Sequence, residues 1–258
     1  MSEDILSLVP PRYDRRIAYG AAPEQFGHLR LPTGRLQPAL VMNIHGGFWR
    51  NKYDLNHAGH LCAALTGRGI ATFNVEYRRV GDDGGGWPGT FQDIRSAYHF
   101  IPQVAKLCNL TFGRVVIVGH SAGAQLALCL AAYERSVAAV VSLAGVVDLR
   151  RAWELQLSSN AVADFLGGSP ETNPAQYREA DPVQLAIPQA AQRLIHGTKD
   201  DVVAPEFSRT YFHEKKGRGE DVQLIELENA GHFDLIDPRS SAWPRIEETV
   251  CALAAGRD

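Results

Sequence analysis

The pentapeptide Gly119-His120-Ser121-Ala122-Gly123 follows the apolar run Arg114-Val115-Val116-Ile117-Val118 and precedes the helix-forming stretch Ala124-Gln125-Leu126-Ala127-Leu128-Cys129-Leu130. A G-x-S-x-G pattern between a strand and a helix leaves the backbone few options. It must turn sharply and hold the serine at the strained tip of the turn. The flanking glycines let the two elements pass without Cβ clashes. A serine held in this way is exposed and immobile, and needs only a neighbouring base to become a nucleophile. An ordinary glycine-rich turn could carry the same residues. The strand before and the helix after favour the catalytic reading of Ser121.

A nucleophilic serine requires a histidine, an orienting acid and an oxyanion hole. In the fold such an elbow implies, they follow in the order Ser, Asp or Glu, His. Arg193-Leu194-Ile195-His196-Gly197-Thr198-Lys199-Asp200-Asp201 reads as a short buried strand and a turn. That arrangement puts Asp200 beyond a strand end, where open α/β sheets place their sites. Val222-Gln223-Leu224-Ile225-Glu226-Leu227 alternates as a strand, and the following loop carries His232 behind Gly231. Asp200 is the preferred acid, Asp201 the second choice, and Asp148, after the strand-like Ala138–Gly145, the third. Taken singly, an Asp in a turn is a turn-former and a loop His is a solvated one; three such residues in this order are hard to reach by chance. Upstream, the run Pro38–Ile44 ends in His45-Gly46-Gly47-Phe48-Trp49-Arg50. Its glycines free backbone N–H groups to face a developing negative charge, so Gly47, Phe48 and Ala122 are the expected oxyanion donors. His45 is expected to pin this loop by a hydrogen bond, and His120 to be a spacer.

With these motifs assembled, the chain resembles the α/β-hydrolase superfamily, in particular its serine carboxylesterase and kynurenine formamidase (arylformamidase) branch. The carriers are His45-Gly46-Gly47-Phe48-Trp49, Gly119-His120-Ser121-Ala122-Gly123, His196-Gly197-Thr198-Lys199-Asp200 and Gly231-His232. The first loop is similar to that of kynurenine formamidases. Tyr77-Arg78 and Trp87-Pro88 are similar to the hormone-sensitive-lipase type of carboxylesterase, although Phe48 stands where that group has a third glycine. The resemblance spans about residues 17–252 and implies the fold and the acyl-transfer machinery, but not the substrate.

Composition bounds the alternatives. A chain of 258 residues suits a single hydrolase domain, 1–258. Its 45 % hydrophobic and 21 % charged residues form an ordinary globular balance. A formal charge of −3 leaves no footprint for nucleic acid or an anionic membrane. Met1–Pro11 lacks the pattern of a signal peptide, and no apolar run is long enough to span a bilayer. The four cysteines (Cys62, Cys108, Cys129, Cys251) are far apart, without a CxxC pair, so neither disulfides nor metal binding are expected and the compartment is read as cytoplasmic.

The remaining elements alternate between strand and helix, which predicts an α/β fold with a mostly parallel sheet covered on both faces. Arg16–Tyr19 and His28–Leu31 read as short antiparallel opening strands. Thr90 and Asp93 suggest a capping box, and Gly81–Gly86 a surface loop bordering the site. Residues 148–185 break the alternation and read as a small cap or lid insertion, or else as an outer helix pair without substrate contact. Trp49 and Trp153 are the candidate substrate contacts, with a core role for Trp49 as the competing reading. His57 and His60 lie three apart but lack a third ligand, so they read as a solvated helix face. No metal and no cofactor are expected.

These readings converge on a serine hydrolase of small carboxylic esters acting through Ser121, His232 and Asp200. An arylformamidase is the alternative, and a non-catalytic ligand-binding protein of the same fold is the weaker rival. The expected partner is a small-molecule ester or formamide; a homodimer is compatible with the sequence.

Overall fold

The structure, a computed structural model, describes residues 2–34 and 36–257; Met1, the first residue of the Met1–Pro11 stretch, Arg35 and Asp258 lie outside the described residues. Eight strands among the described residues form one sheet: β1 Arg15–Ala18, β2 Phe26–Arg30, β3 Ala39–Ile44, β4 Ala71–Val75, β5 Arg114–His120, β6 Ala139–Leu143, β7 Ala191–Gly197 and β8 Val222–Leu227. Their order is β1-β2-β4-β3-β5-β6-β7-β8. β1 and β2 run antiparallel to their neighbours, and the pairs from β4 through β8 are parallel. The helices are α1 Gly59–Gly67, α2 Gly89–His99, α3 Ile101–Leu107, α4 Ala122–Tyr133, α5 Leu149–Glu154, α6 Leu157–Leu166, α7 Pro174–Ala180, α8 Glu206–Gly217 and α9 Trp243–Ala254. Short 3₁₀ turns occupy Ser2–Ser7, Leu55–Ala58 and Phe233–Ile236.

Strand periodicity explains the layering. Along β3, Leu40, Met42 and Ile44 point to one face and Ala39 and Val41 to the other. The first face packs with Ile94 of α2 and Leu126 and Leu130 of α4. The second packs with Leu61 and Leu65 of α1 and Ile246 and Val250 of α9. A sheet buried on both faces reads in sequence as continuous apolar runs, as β3 and β5 do. β8 lies at the sheet edge and is only partly buried, which is why its sequence alternates.

Because β3 to β8 are parallel, the loops at their carboxyl ends emerge along one edge of the sheet. The helix after Pro88 is not held by the expected capping box. Thr90 Oγ1 donates to the Arg78 carbonyl at 2.6 Å, and Asp93 accepts from the Arg78 guanidinium at 2.6 and 2.9 Å. A buried carboxylate gains more from a bidentate guanidinium than from free N–H groups at a helix end.

The elbow glycines are steric necessities. A Cβ on Gly119 would come within 2.3 Å of the Gly123 carbonyl oxygen, and one on Gly123 within 2.2 Å of the Ile44 carbonyl oxygen. The obstacles are backbone atoms of central elements and cannot swing aside. Gly123→Ala is therefore expected to cost about 3 kcal/mol in urea unfolding. Gly217→Ala, with open space around its Cα in α8, should be neutral or stabilising by up to about 1 kcal/mol.

Candidate active site

Ser121 sits between β5 and α4 with φ 57° and ψ −122°, a conformation that L residues adopt only under constraint, at a cost of about 1–3 kcal/mol. The constraint comes from the neighbouring strand: Ser121 N–H donates to the Leu143 carbonyl at 2.8 Å. Its own carbonyl accepts from Ala124 N at 3.0 Å, Val146 N at 3.3 Å and Gln125 N at 3.4 Å.

The loops after β7 and β8 are locked together. Lys199 N–H donates to the Ala230 carbonyl at 2.9 Å, and Gly197 passes so close that a Cβ would lie 2.2 Å from the Ala230 oxygen. This brings Asp200 and His232, distant in sequence, to a 2.7 Å hydrogen bond from His232 Nδ1 to Asp200 Oδ2. The other carboxylate oxygen accepts from Val202 N at 2.9 Å and Val203 N at 2.8 Å. His196 Nε2 also approaches Oδ2 at 3.3 Å. Burial by itself would raise the Asp200 pKa; the hydrogen bonds from His196 and His232, the His232 charge and Val203 N–H outweigh it and hold the carboxyl well below the usual range. With Nδ1 donating, no hydrogen bond among the described residues engages His232 Nε2. Asp148 instead caps α5, accepting from Arg151 N at 2.8 Å.

Ser121 and His232 face a common cavity of about 190 Å³, whose wall also contains Gly47, Phe48, Tyr53, His57, His120, Ser158, Val202, Phe233, Glu3 and Leu6. Gly47 and Phe48 both have positive φ, 111° and 50°, and no hydrogen bond within the described residues engages their backbone N–H groups. The Gly81–Gly86 loop does not reach this cavity wall.

His45 is fully buried, with Nδ1 2.7 Å from the Gly46 carbonyl and Nε2 2.9 Å from Glu76 Oε1. Sequence reasoning gave no role to Glu76, which proves to be the hub behind the cavity. It accepts from Leu55 N at 3.0 Å and Tyr77 N at 3.0 Å, and pairs with Arg79 at 3.1 Å. Arg79 in turn donates to the Tyr53 carbonyl. Burial pushes the Glu76 carboxyl up, and His45, Arg79 and Tyr77 N–H together bring it below the usual range. The only sequence hint was an acid inside an apolar strand end, Phe73-Asn74-Val75-Glu76-Tyr77.

Two expected substrate contacts lie elsewhere. Trp49 is wholly buried, stacks on Phe165 at 4.5 Å and 6°, and donates Nε1–H to Gln125 Oε1 at 2.9 Å. Trp153 is half-buried against the core, and neither lines the cavity. The physical reason is the positive φ of Phe48 and Trp49, 50° and 56°, which turns the Trp49 side chain inward. His57, read as solvated, lines the cavity, with its ring 5.5 Å from His45 and edge-on. Burial, and then His45, push its pKa down to about 3. Among the described residues no group of three or more His, Cys, Asp or Glu is arranged to hold a metal, and no helix is long and apolar enough to cross a membrane.

The Asp200 pKa is lower in the folded chain than in the unfolded one. Its ion therefore contributes stability that is fully present above the ordinary carboxylate value of about 4 and is lost as pH falls through the depressed one. Glu76 acts with the same sign. Urea unfolding from about pH 6 to about pH 3 should show the wild type losing stability and Asp200→Asn losing less; equal slopes would contradict the depressed value.

The BD-FAE family profile matches residues 29–215, well over half of the chain. Among solved structures, esterase B from Lactobacillus rhamnosis (HN001) superposes with a TM-score of 0.84 at 18 % identity, covering 99 % of this chain and 90 % of that one. A truncated carbohydrate esterase from gut microbiota gives 0.79 at 18 % identity, covering 96 % and 100 %. An acetyl-hydrolase of Streptomyces hygroscopicus is 32 % identical over 131 residues, 44 % of this chain; the matched stretch spans only 42 % of that relative's length. The fold and the family profile agree: the chain belongs to the BD-FAE family of α/β-hydrolase esterases.

Proposed function

We propose that the protein hydrolyses small carboxylic esters through an acyl-enzyme formed on Ser121. The observation that carries this reading is the convergence on one cavity of a serine on a strained elbow and a histidine hydrogen-bonded to a buried carboxylate, at 2.7 Å. In this mechanism His232, oriented by Asp200, takes the Ser121 proton through Nε2 as the hydroxyl oxygen attacks the ester carbonyl. The oxyanion is held by the backbone N–H groups of Gly47, Phe48 and Ala122. His232 then protonates the leaving alcohol. Water, deprotonated by the same histidine, attacks the acyl carbonyl and releases the acid and free Ser121.

The cavity of about 190 Å³ is below the ~300–1,000 Å³ common for sites that enclose drug-sized ligands. It fits the reacting end of a substrate with a short acyl group, in line with the acetyl-hydrolase name of the Streptomyces hygroscopicus relative. The segment 148–185 serves as a cap over this site: Ser158 lines the cavity, and Arg50, beyond the Gly47-Phe48 loop, pairs with Asp164 at 2.9 Å. A formamide of an aromatic amine is the second reading, favoured by Phe48, Tyr53 and Phe233 in the wall.

Steady-state kcat/KM on p-nitrophenyl acetate, p-nitrophenyl octanoate and N-formylkynurenine tests both. The wild type should prefer the acetate ester, and Ser121→Ala should lose on the order of 10⁶-fold. A preference for N-formylkynurenine would install the second reading. A loss below about tenfold in Ser121→Ala would remove Ser121 from the chemistry.

A further inference from the structure

Resting on the esterase reading, we propose that the Ser2–Ser7 turn is a strap completing the substrate cavity, and that Glu3 on it makes the enzyme select substrates by charge. Esters carrying a cationic group near the scissile bond are favoured, neutral ones are accepted and anionic ones are disfavoured.

The strap is anchored by packing. Ile5 is fully buried, in one cluster with Leu61, Leu235, Ile236 and Trp243. The turn rests on the 3₁₀ turn that follows His232 and on the one that bears His57. Anchoring at Ile5 places its neighbour Leu6 and the preceding Glu3 at the cavity wall that also contains Ser121 and His232. Burial of this isoleucine holds the turn in place, with Glu3 and Leu6 at the cavity wall.

Charge gives Glu3 its role. The other wall residues are apolar, hydroxyl-bearing or histidine. Burial keeps His57 neutral, with its pKa pushed down to about 3, and likewise drives His120 well below the usual imidazole range. Glu3 is exposed, and no ion pair among the described residues includes it. Its charge is thus left to act on whatever enters. Two unit charges about 6 Å apart at an effective dielectric constant of about 40 interact by roughly 1.4 kcal/mol, or about tenfold in rate. Reversing the substrate charge spans that factor twice, and salt weakens it because the rim is wet.

Three acetate esters of similar size separate charge from fit: acetylcholine, 3,3-dimethylbutyl acetate and 3-acetoxypropane-1-sulfonate, each followed by acid release at constant pH. Wild type should rank them cation, neutral, anion, with a cation-to-anion ratio of kcat/KM of about tenfold or more at low salt. In Glu3→Gln the ratio should fall to within about twofold, and in Glu3→Lys it should invert. A ratio unchanged by Glu3→Gln, while the neutral ester is still hydrolysed in a Ser121-dependent manner, overturns the charge assignment and leaves the esterase reading intact. Failure of wild type to hydrolyse any of the three overturns both.

Discussion

A single buried carboxylate, Glu76, holds the wall of the cavity together. Removing a carboxylate from water costs several kcal/mol unless its oxygens are fully hydrogen-bonded. Here the cost is offset by His45, Arg79, and the backbone N–H groups of Leu55 and Tyr77. His45, Leu55 and Arg79 each tie it to a different part of the site. His45 opens the loop with Gly47 and Phe48, Leu55 begins the turn with His57, and Arg79 reaches the Tyr53 carbonyl. The carboxylate can be satisfied only when these three segments are simultaneously in place. Its burial therefore converts a set of separate loops into one cooperative unit, with Tyr77 adding a 2.7 Å hydrogen bond to the His45 carbonyl and a stacked ring at 4.5 Å.

Local sequence carried the elements whose signals are local. The strands from Pro38–Ile44 to Val222–Leu227 were legible because a sheet buried on both faces needs unbroken apolar runs. The elbow was legible because only glycine tolerates the approach of α4 to β3. The loops with Asp200 and His232 followed from the direction of a parallel sheet, whose strand ends share one edge. Glu76 and the place of His57 were not legible, and the choice for Trp49 between substrate and core stayed open, for one reason: each is decided by what stands opposite in space. An acid at a strand end looks solvated until His45 and Arg79 close over it. A histidine on a short turn looks exposed until the Ser2–Ser7 turn packs nearby. A tryptophan beside an active-site loop looks like a substrate contact until the backbone sign at Phe48 and Trp49 is known.

Residues 148–185 are likewise placed by what stands opposite them in space. Their sequence could describe a lid or a pair of outer helices, and the structure shows them docked along the edge that carries Ser121. Phe165 stacks on Trp49, its carbonyl accepts from Trp87 N at 2.8 Å, and Arg50 donates to the Ser159 carbonyl at 3.2 Å. Asp181 ties the far end of the segment back to Leu149 N at 2.9 Å. Its buried carboxyl is pushed up to about 7, chiefly by burial. Unlike Glu76 it has no cation in hydrogen-bond contact among the described residues, so near neutrality its protonated form competes with its ion.

Backbone strain is distributed unevenly, and its distribution follows the site. Asn109 and Asn229 adopt positive φ at turns, where asparagine does so readily. Ala144 follows β6. The remaining non-glycine residues with positive φ are Phe48, Trp49, Ser121, Gln156, Ser158, Ser159 and Asn160. They fall in three segments, each contributing a residue to the cavity wall. At about 1–2 kcal/mol apiece, such residues would relax unless packing elsewhere over-determined them. For the loop after β3, Trp49 supplies that packing: a fully buried indole, stacked on Phe165 and hydrogen-bonded to Gln125 of α4. The aromatic residue that sequence would send to the substrate is more valuable in the core. There it fixes the left-handed turn that leaves the Gly47 and Phe48 N–H groups without partners among the described residues.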